Sequence, residues 1–218
     1  MERRPIASRD RAVSRRVAKW LAATGITPNA ISIAGMVFGC LAGVVLAATA
    51  SLDSWSMRAA WVAGAVFVQL RLLANMFDGM VAIERDVASA VGELYNEIPD
   101  RVSDVAILVG LGYAAGGEPT LGYVAACVAI FVAYIRAMGA AAGASQAFDG
   151  PMAKPQRMFA VTVGAAYCAA TPLAWQPEFG PDGRSIASFV LALVTLGGLW
   201  TAARRLRHIV RNLREASL

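Results

Sequence analysis

Charge is what this sequence has least of. Only 16% of its 218 residues are charged against 57% hydrophobic, and the mean hydropathy is +0.54. A soluble domain carries about 25% charged residues, so a water-exposed globule is excluded. Most charges sit in short clusters between apolar runs, each able to supply the roughly 20 residues that a helix needs to cross a bilayer. The alternating pattern of a membrane barrel is also missing, which leaves helices to bond every backbone group internally. Cysteine is scarce: Cys40, Cys127 and Cys168 lie far apart in apolar sequence, without metal-ligand spacing, and read as small packing residues. There is no internal repeat and no low-complexity linker, so one domain is expected. The amino terminus is polar where a cleavable signal peptide would be apolar, so none is expected.

What is present is a biased distribution of positive charge. The net charge of +5 would suit nucleic acid, but the basic residues flank apolar spans, as they do when Lys and Arg hold loops in the cytoplasm. Residues 1–27 carry Arg3, Arg4, Arg9, Arg11, Arg15, Arg16 and Lys19 among Val13, Val17, Trp20 and Leu21. The apolar residues recur at helical spacing, which predicts a basic amphipathic helix lying on an anionic membrane face. Six spans are expected at about 30–50, 58–83, 89–114, 120–143, 157–175 and 184–203. With the amino terminus inside, the inner segments hold 15 of the 20 Lys and Arg, and the outer loops only Arg58 and Arg184. That bias places both termini in the cytoplasm. The expected organisation is an all-α integral membrane protein: a juxtamembrane helix over 1–27, a six-helix catalytic domain over 28–206, and a basic cytoplasmic tail over 207–218.

Against this background the second and third spans are anomalous. An ionisable group in a membrane helix costs roughly 2.5–3.5 kcal/mol on insertion scales and is functional by default. At roughly 100° per residue, Arg71, Asn75, Asp78 and Ala82 share one face of the second helix. Glu93, Glu97, Asp100 and Asp104 form a stripe on the third, with Asn96 at its edge. Carboxylates so spaced repel one another, and Arg71, Arg101 and Arg136 do not balance them. Oxygen-rich sets of carboxylates and amides suit hard cations such as Mg²⁺ or Mn²⁺. Gly79 after Asp78 and Gly92 before Glu93 allow something bulky to approach the backbone, and Pro99 removes a backbone donor beside Asp100.

These residues resemble the signature of the CDP-alcohol phosphotransferases (phosphatidyltransferases), D-x2-D-G-x2-A-R-x8-G-x3-D-x3-D. Here it reads Asn75-x2-Asp78-Gly79-x2-Ala82-Ile83-x8-Gly92-x3-Asn96-x3-Asp100, with the spacing kept and three specified positions changed. Thr27-Pro28-Asn29, the six spans and the amphipathic entry helix resemble the family as well. The resemblance implies transfer of a phosphatidyl group from a CDP-linked lipid to an alcohol, with release of CMP. It implies divalent cations, Mg²⁺ or Mn²⁺, at Asn75, Asp78, Asn96 and Asp100. Gly79, Ala82 and Gly92 would border the substrate, and Asp100 would act as general base; Asp104, one turn beyond and outside the signature, is a candidate to assist that base or to bind the second cation. It also implies a homodimer and, with the alanine-, glycine- and arginine-rich composition, a bacterial inner membrane with the site facing the cytoplasm.

The departures are Asn75 and Asn96 for two carboxylates, and Ile83 for the family arginine, with Arg85 two residues on. Lys154 and Arg157, in the inner loop after the fourth span, are candidates for an acceptor phosphate or lipid headgroup, and Arg136 for joining them. Two other classes stay open: a relative that binds nucleotide-lipid or cation without turnover, and a small ion-coupled transporter. The matched repeats and broken helices common in transporters are not evident.

Overall fold

Prolines and capping side chains set where the helices begin. In the computed structural model, which describes residues 12–87, 90–145, 150–179 and 183–216, the chain is helical throughout and has no strand among these residues. Helix α1 (Ala12–Ala23) stops before Gly25, whose φ of 82° is left-handed. Thr27 then caps α2 (Pro28–Ala48): its hydroxyl accepts from the Ala30 amide at 3.2 Å, with Pro28 in the first turn. This is the arrangement in which proline costs the helix no hydrogen bond. Glu118 and Pro119 repeat the device at the start of α5 (Pro119–Ala141), where the carboxylate accepts from the amides of Thr120 and Leu121.

Helix α3 (Ser54–Glu84) closes in a Schellman turn. The Val87 amide donates to the Ala82 carbonyl and the Asp86 amide to Ile83, with Asp86 at φ 52°, a conformation that aspartate tolerates better than most side chains. Helix α4 (Ala90–Gly112) passes through Pro99 without a break. Helix α6 (Lys154–Ala170) ends because Thr171 precedes Pro172 and is extended. Helix α7 (Ile186–Ala216) runs on as one element, so the boundary expected at 206 falls inside a continuous helix.

Helices α2 to α7 each overlap one of the six regions expected to be spans, with the ends of α6 and α7 shifted. Four of them, α2, α3, α5 and α7, are long and apolar enough to cross a membrane. Helix α4 departs from that composition because it carries the acidic stripe, and α6 because it is only 17 residues long. Val44, Val66, Phe131, Leu196 and Trp200 point outward, while Arg71, Asp78, Asp104, Arg157 and Arg205 are buried. Apolar outside and charged inside is the distribution expected of a multi-pass membrane protein. On α1, Val13 and Trp20 are exposed although Ala18 packs inward, as an interfacial helix requires.

Helix α2 packs on both α3 and α4, α5 on α4 and α7, and α6 on α3 and α7. The core between them is Leu46, Trp61, Val68, Ile107, Met158 and Leu191. The crossing of α2 over α4 is unusually close. A Cβ at Gly39 would lie 2.5 Å from that of Ser103, and one at Gly43 would collide with the Ala106 backbone. Without a hydrophobic drive inside lipid, such backbone contact is what holds membrane helices together, and it brings the polar face of α4 up to α2.

Candidate active site

The close crossing leaves a cleft of ≈ 180 Å³ between α2, α3 and α4. Helix α2 brings Ser32 to it, α3 brings Arg71, Asn75 and Asp78, and α4 brings Asn96 and Asp100. Spacings of three and four residues put each set on one helical face, so the four polar signature positions meet in one place. Asp78 is 3% exposed. It accepts from the Ser32 hydroxyl at 2.7 Å and from the Gly79 amide at 2.5 Å, and among the described residues it has no ion pair. Asn75 donates its amide to Asn96 Oδ1 at 2.7 Å.

Below the cleft lies a buried charge triad. Asp104, 1% exposed, accepts from Arg71 Nη2 at 2.8 Å with one oxygen and from Arg157 Nη2 at 2.7 Å with the other. Arg71 also reaches Asp100, its Nη2 lying 3.2 Å from both the backbone oxygen and Oδ1. Both carboxylate oxygens of Asp104 are therefore spoken for. Arg71 Nε and Nη1 are buried without a hydrogen-bond partner.

Lys154 enters from the start of α6. Its ammonium donates to Asn75 Oδ1 and to Asp100 Oδ2, both as close contacts. The segment before it is held in place: the Met152 amide donates to Thr201 Oγ1 at 2.9 Å, and Arg157 Nη1 to the Met152 carbonyl at 3.2 Å. Arg157 thus faces Asp104 and the chain that presents Lys154, not the open cleft. Arg136 on α5 makes a close ion pair with Glu97, which Arg101 approaches at 3.5 Å.

The remaining sequence candidates fall elsewhere. Arg85 caps α3 and sends its guanidinium to the carbonyls of Gly25 and Ile26 at 3.2 and 3.1 Å. It ties the end of α3 to the turn after α1, while Ile83 is exposed. Ala82 sits in the last turn of α3 and Gly92 in the first turn of α4, both half-buried. The side chain of Glu93 lies outside the described residues, as do Arg3, Arg4, Arg9 and Arg11. Ser32 was not a sequence candidate. Its only signal was its place one turn into the helix that Thr27-Pro28-Asn29 opens.

Among the described residues, the surplus of carboxylates over arginines read from the spans does not survive in three dimensions. Asp78, Glu97, Asp100 and Asp104 share the site with Arg71, Arg101, Arg136, Lys154 and Arg157. Helix α6 supplies two further cations, Lys154 and Arg157, beside those of α3, α4 and α5. Among the described residues no three His, Cys, Asp or Glu converge as a metal cage. Asp78, buried, flanked by two amides and without an ion pair among the described residues, is the donor group that fits a hard cation.

A family model for CDP-alcohol phosphatidyltransferase matches residues 25–202. The chain belongs to that family. It is similar to the phosphatidylinositol phosphate synthase of Mycolicibacterium smegmatis, 30% identical over 83% of this chain and 81% of that one. Its fold is similar to a Mycobacterium tuberculosis phosphatidylinositol phosphate synthase solved with CDP-DAG bound, at TM-score 0.70 and 21% identity over 91% and 94% of the two chains. The same synthase solved with manganese and citrate gives TM-score 0.70 and 22% identity over 89% and 88%. The matched residues span the whole cleft, from Thr27 before α2 to Thr201 behind the Lys154 segment.

Proposed function

We propose that this chain transfers a phosphatidyl group from a CDP-linked lipid such as CDP-diacylglycerol to a polar alcohol, releasing CMP. The observation that carries the reading is the convergence of Asn75, Asp78, Asn96 and Asp100 on one cleft between α2, α3 and α4, inside a fold shared with a synthase solved with CDP-DAG. The relatives' names make a phosphorylated inositol the first acceptor to try.

Phosphoryl transfer needs positioning, neutralised charge and a base within reach of the attacking hydroxyl. Asp78 would hold Mg²⁺ or Mn²⁺. Such a cation, when bound, neutralises phosphate oxygens and stabilises the leaving group. Arg71 lines the cleft and brings positive charge to a phosphate there, and its carboxylate partners fix its plane. Gly79 and Gly92 leave the helix surfaces low where the nucleotide would pass. Of the three remaining described carboxylates of the site, Glu97 is paired with Arg136 and Arg101 outside the cleft lining and Asp104 is tied off by two guanidinium groups, so the base is assigned to Asp100, at the cleft wall. Asp104 then serves to hold Arg71 and Arg157. Lys154 must release Asp100 for a proton to be taken there, and an anionic acceptor is the group that would draw its ammonium away.

In the full reading α2 to α7 all span a bacterial inner membrane, both termini are cytoplasmic, and the cleft opens on that side. The protein acts as a homodimer, to be checked by light scattering of the detergent-purified chain. The deciding assay supplies purified protein with CDP-diacylglycerol, Mg²⁺ or Mn²⁺, and a set of polar alcohols and their phosphates. CMP release that needs both metal and acceptor, and that Asp100→Asn abolishes, is the expected result. Metal-dependent binding of the nucleotide-lipid with no CMP for any acceptor would overturn turnover.

A further inference from the structure

The donor set of the cleft already contains a cation, and that cation is part of the chain. Lys154 Nζ contacts Asn75 Oδ1 and Asp100 Oδ2, with its side chain 15% exposed. A lysine in the first turn of a helix is disfavoured, because the positive end of the helix dipole lies there. Here the position is enforced. Gly150, at φ 119°, packs against Thr201, Thr201 accepts from the Met152 amide, and Met152 and Ala153 are buried. Arg157 grips the Met152 carbonyl from one side and Asp104 from the other.

The two asparagines complete the arrangement. With its oxygen turned to the ammonium, Asn75 has its NH₂ free to donate to Asn96 Oδ1 at 2.7 Å. Two carboxylates at that separation would repel strongly in a low-dielectric interior, and only an amide can bond both ways. Asn75, Asn96 and Asp100 thus have oxygens engaged within the protein itself. Asp78, across the cleft, is the buried carboxylate that no ammonium or guanidinium approaches within ion-pair distance among the described residues. We propose that the site takes one divalent cation, at Asp78, and that the Lys154 ammonium fills the remainder of the donor set as a built-in monovalent cation, with Asn75 and Asn96 as the residues that accommodate it.

The inference deepens the proposed transferase reading and rests on it only for the identity of the site. The test is the number of Mn²⁺ ions bound per chain, counted by electron paramagnetic resonance on detergent-purified protein with CDP-diacylglycerol present. Wild type is expected to bind about one. The Asn75→Asp, Asn96→Asp pair with Lys154 retained is expected to stay near one. Adding Lys154→Gln to that pair should raise the count to about two. A wild-type count of two, or of none, overturns the proposal, and so does a folded triple variant that stays at one. The wild-type count stands even if the triple variant does not fold, which its thermal midpoint and elution profile would show. Two Mn²⁺ with CMP release would sink this inference and leave the transferase. One Mn²⁺ with no CMP from any acceptor would do the reverse.

Discussion

Asp78, Asp100 and Asp104 are three buried aspartates within one site, and their partners assign them three kinds of work. Asp104 is held by two arginines in a pocket closed to solvent. Removing one partner of such a network leaves uncompensated buried charge and costs about 3–5 kcal/mol. Asp104→Ala should therefore lower the thermal midpoint in detergent sharply, and lose activity through the fold. Asp78→Asn removes a charge that has no ion pair among the described residues. It should keep a near-native midpoint while CMP release falls by at least about 100-fold, the range in which losing one electrostatic stabiliser of a transition state lies. Asp100→Asn should match that loss with nucleotide-lipid binding retained. Full turnover by Asp100→Asn would sink the assignment of the base.

At the scale of the element, the fold depends on how closely α2 approaches its neighbours. Gly43 lies against the Ala106 backbone, and Gly110 against that of Gly43. Gly43→Leu should push α2 from α4, separate Ser32 from Asn96 and Asp100 and abolish binding of the nucleotide-lipid, measurable by the loss of metal-dependent CDP-lipid retention. Thr27→Ala removes one cap and should cost only about 1 kcal/mol, a small shift in midpoint with the site intact. The helices themselves were readable from apolar length and from Thr27-Pro28 and Glu118-Pro119, because capping is local chemistry. The glycines of α2, Gly39 and Gly43 among them, are visible in the sequence, but nothing in α2 alone says which helix will cross it. The ends of α6 and α7 were misplaced for a related reason: Lys154 and the residues after 203 are polar, and their helicity is supported by packing on α3 and α5.

For the whole molecule, the charge bias makes a prediction about topology. An impermeant maleimide applied to intact cells should label Asp53→Cys and Glu118→Cys, at turns expected outside, in a background without native cysteines. It should spare Asp86→Cys until the membrane is opened. Labelling of Asp86→Cys from outside would invert the orientation. Composition, apolar length and the spacing of Asn75, Asp78, Asn96 and Asp100 were enough to establish a helical membrane protein with one polar site, since each is a property of a single segment. The destination of Lys154, the tying-off of Asp104 and the contribution of Ser32 were decided by tertiary structure alone. The partners concerned lie 79, 53 and 46 residues apart, and only helix packing brings such distant charges into a low-dielectric interior where each must find its counterpart.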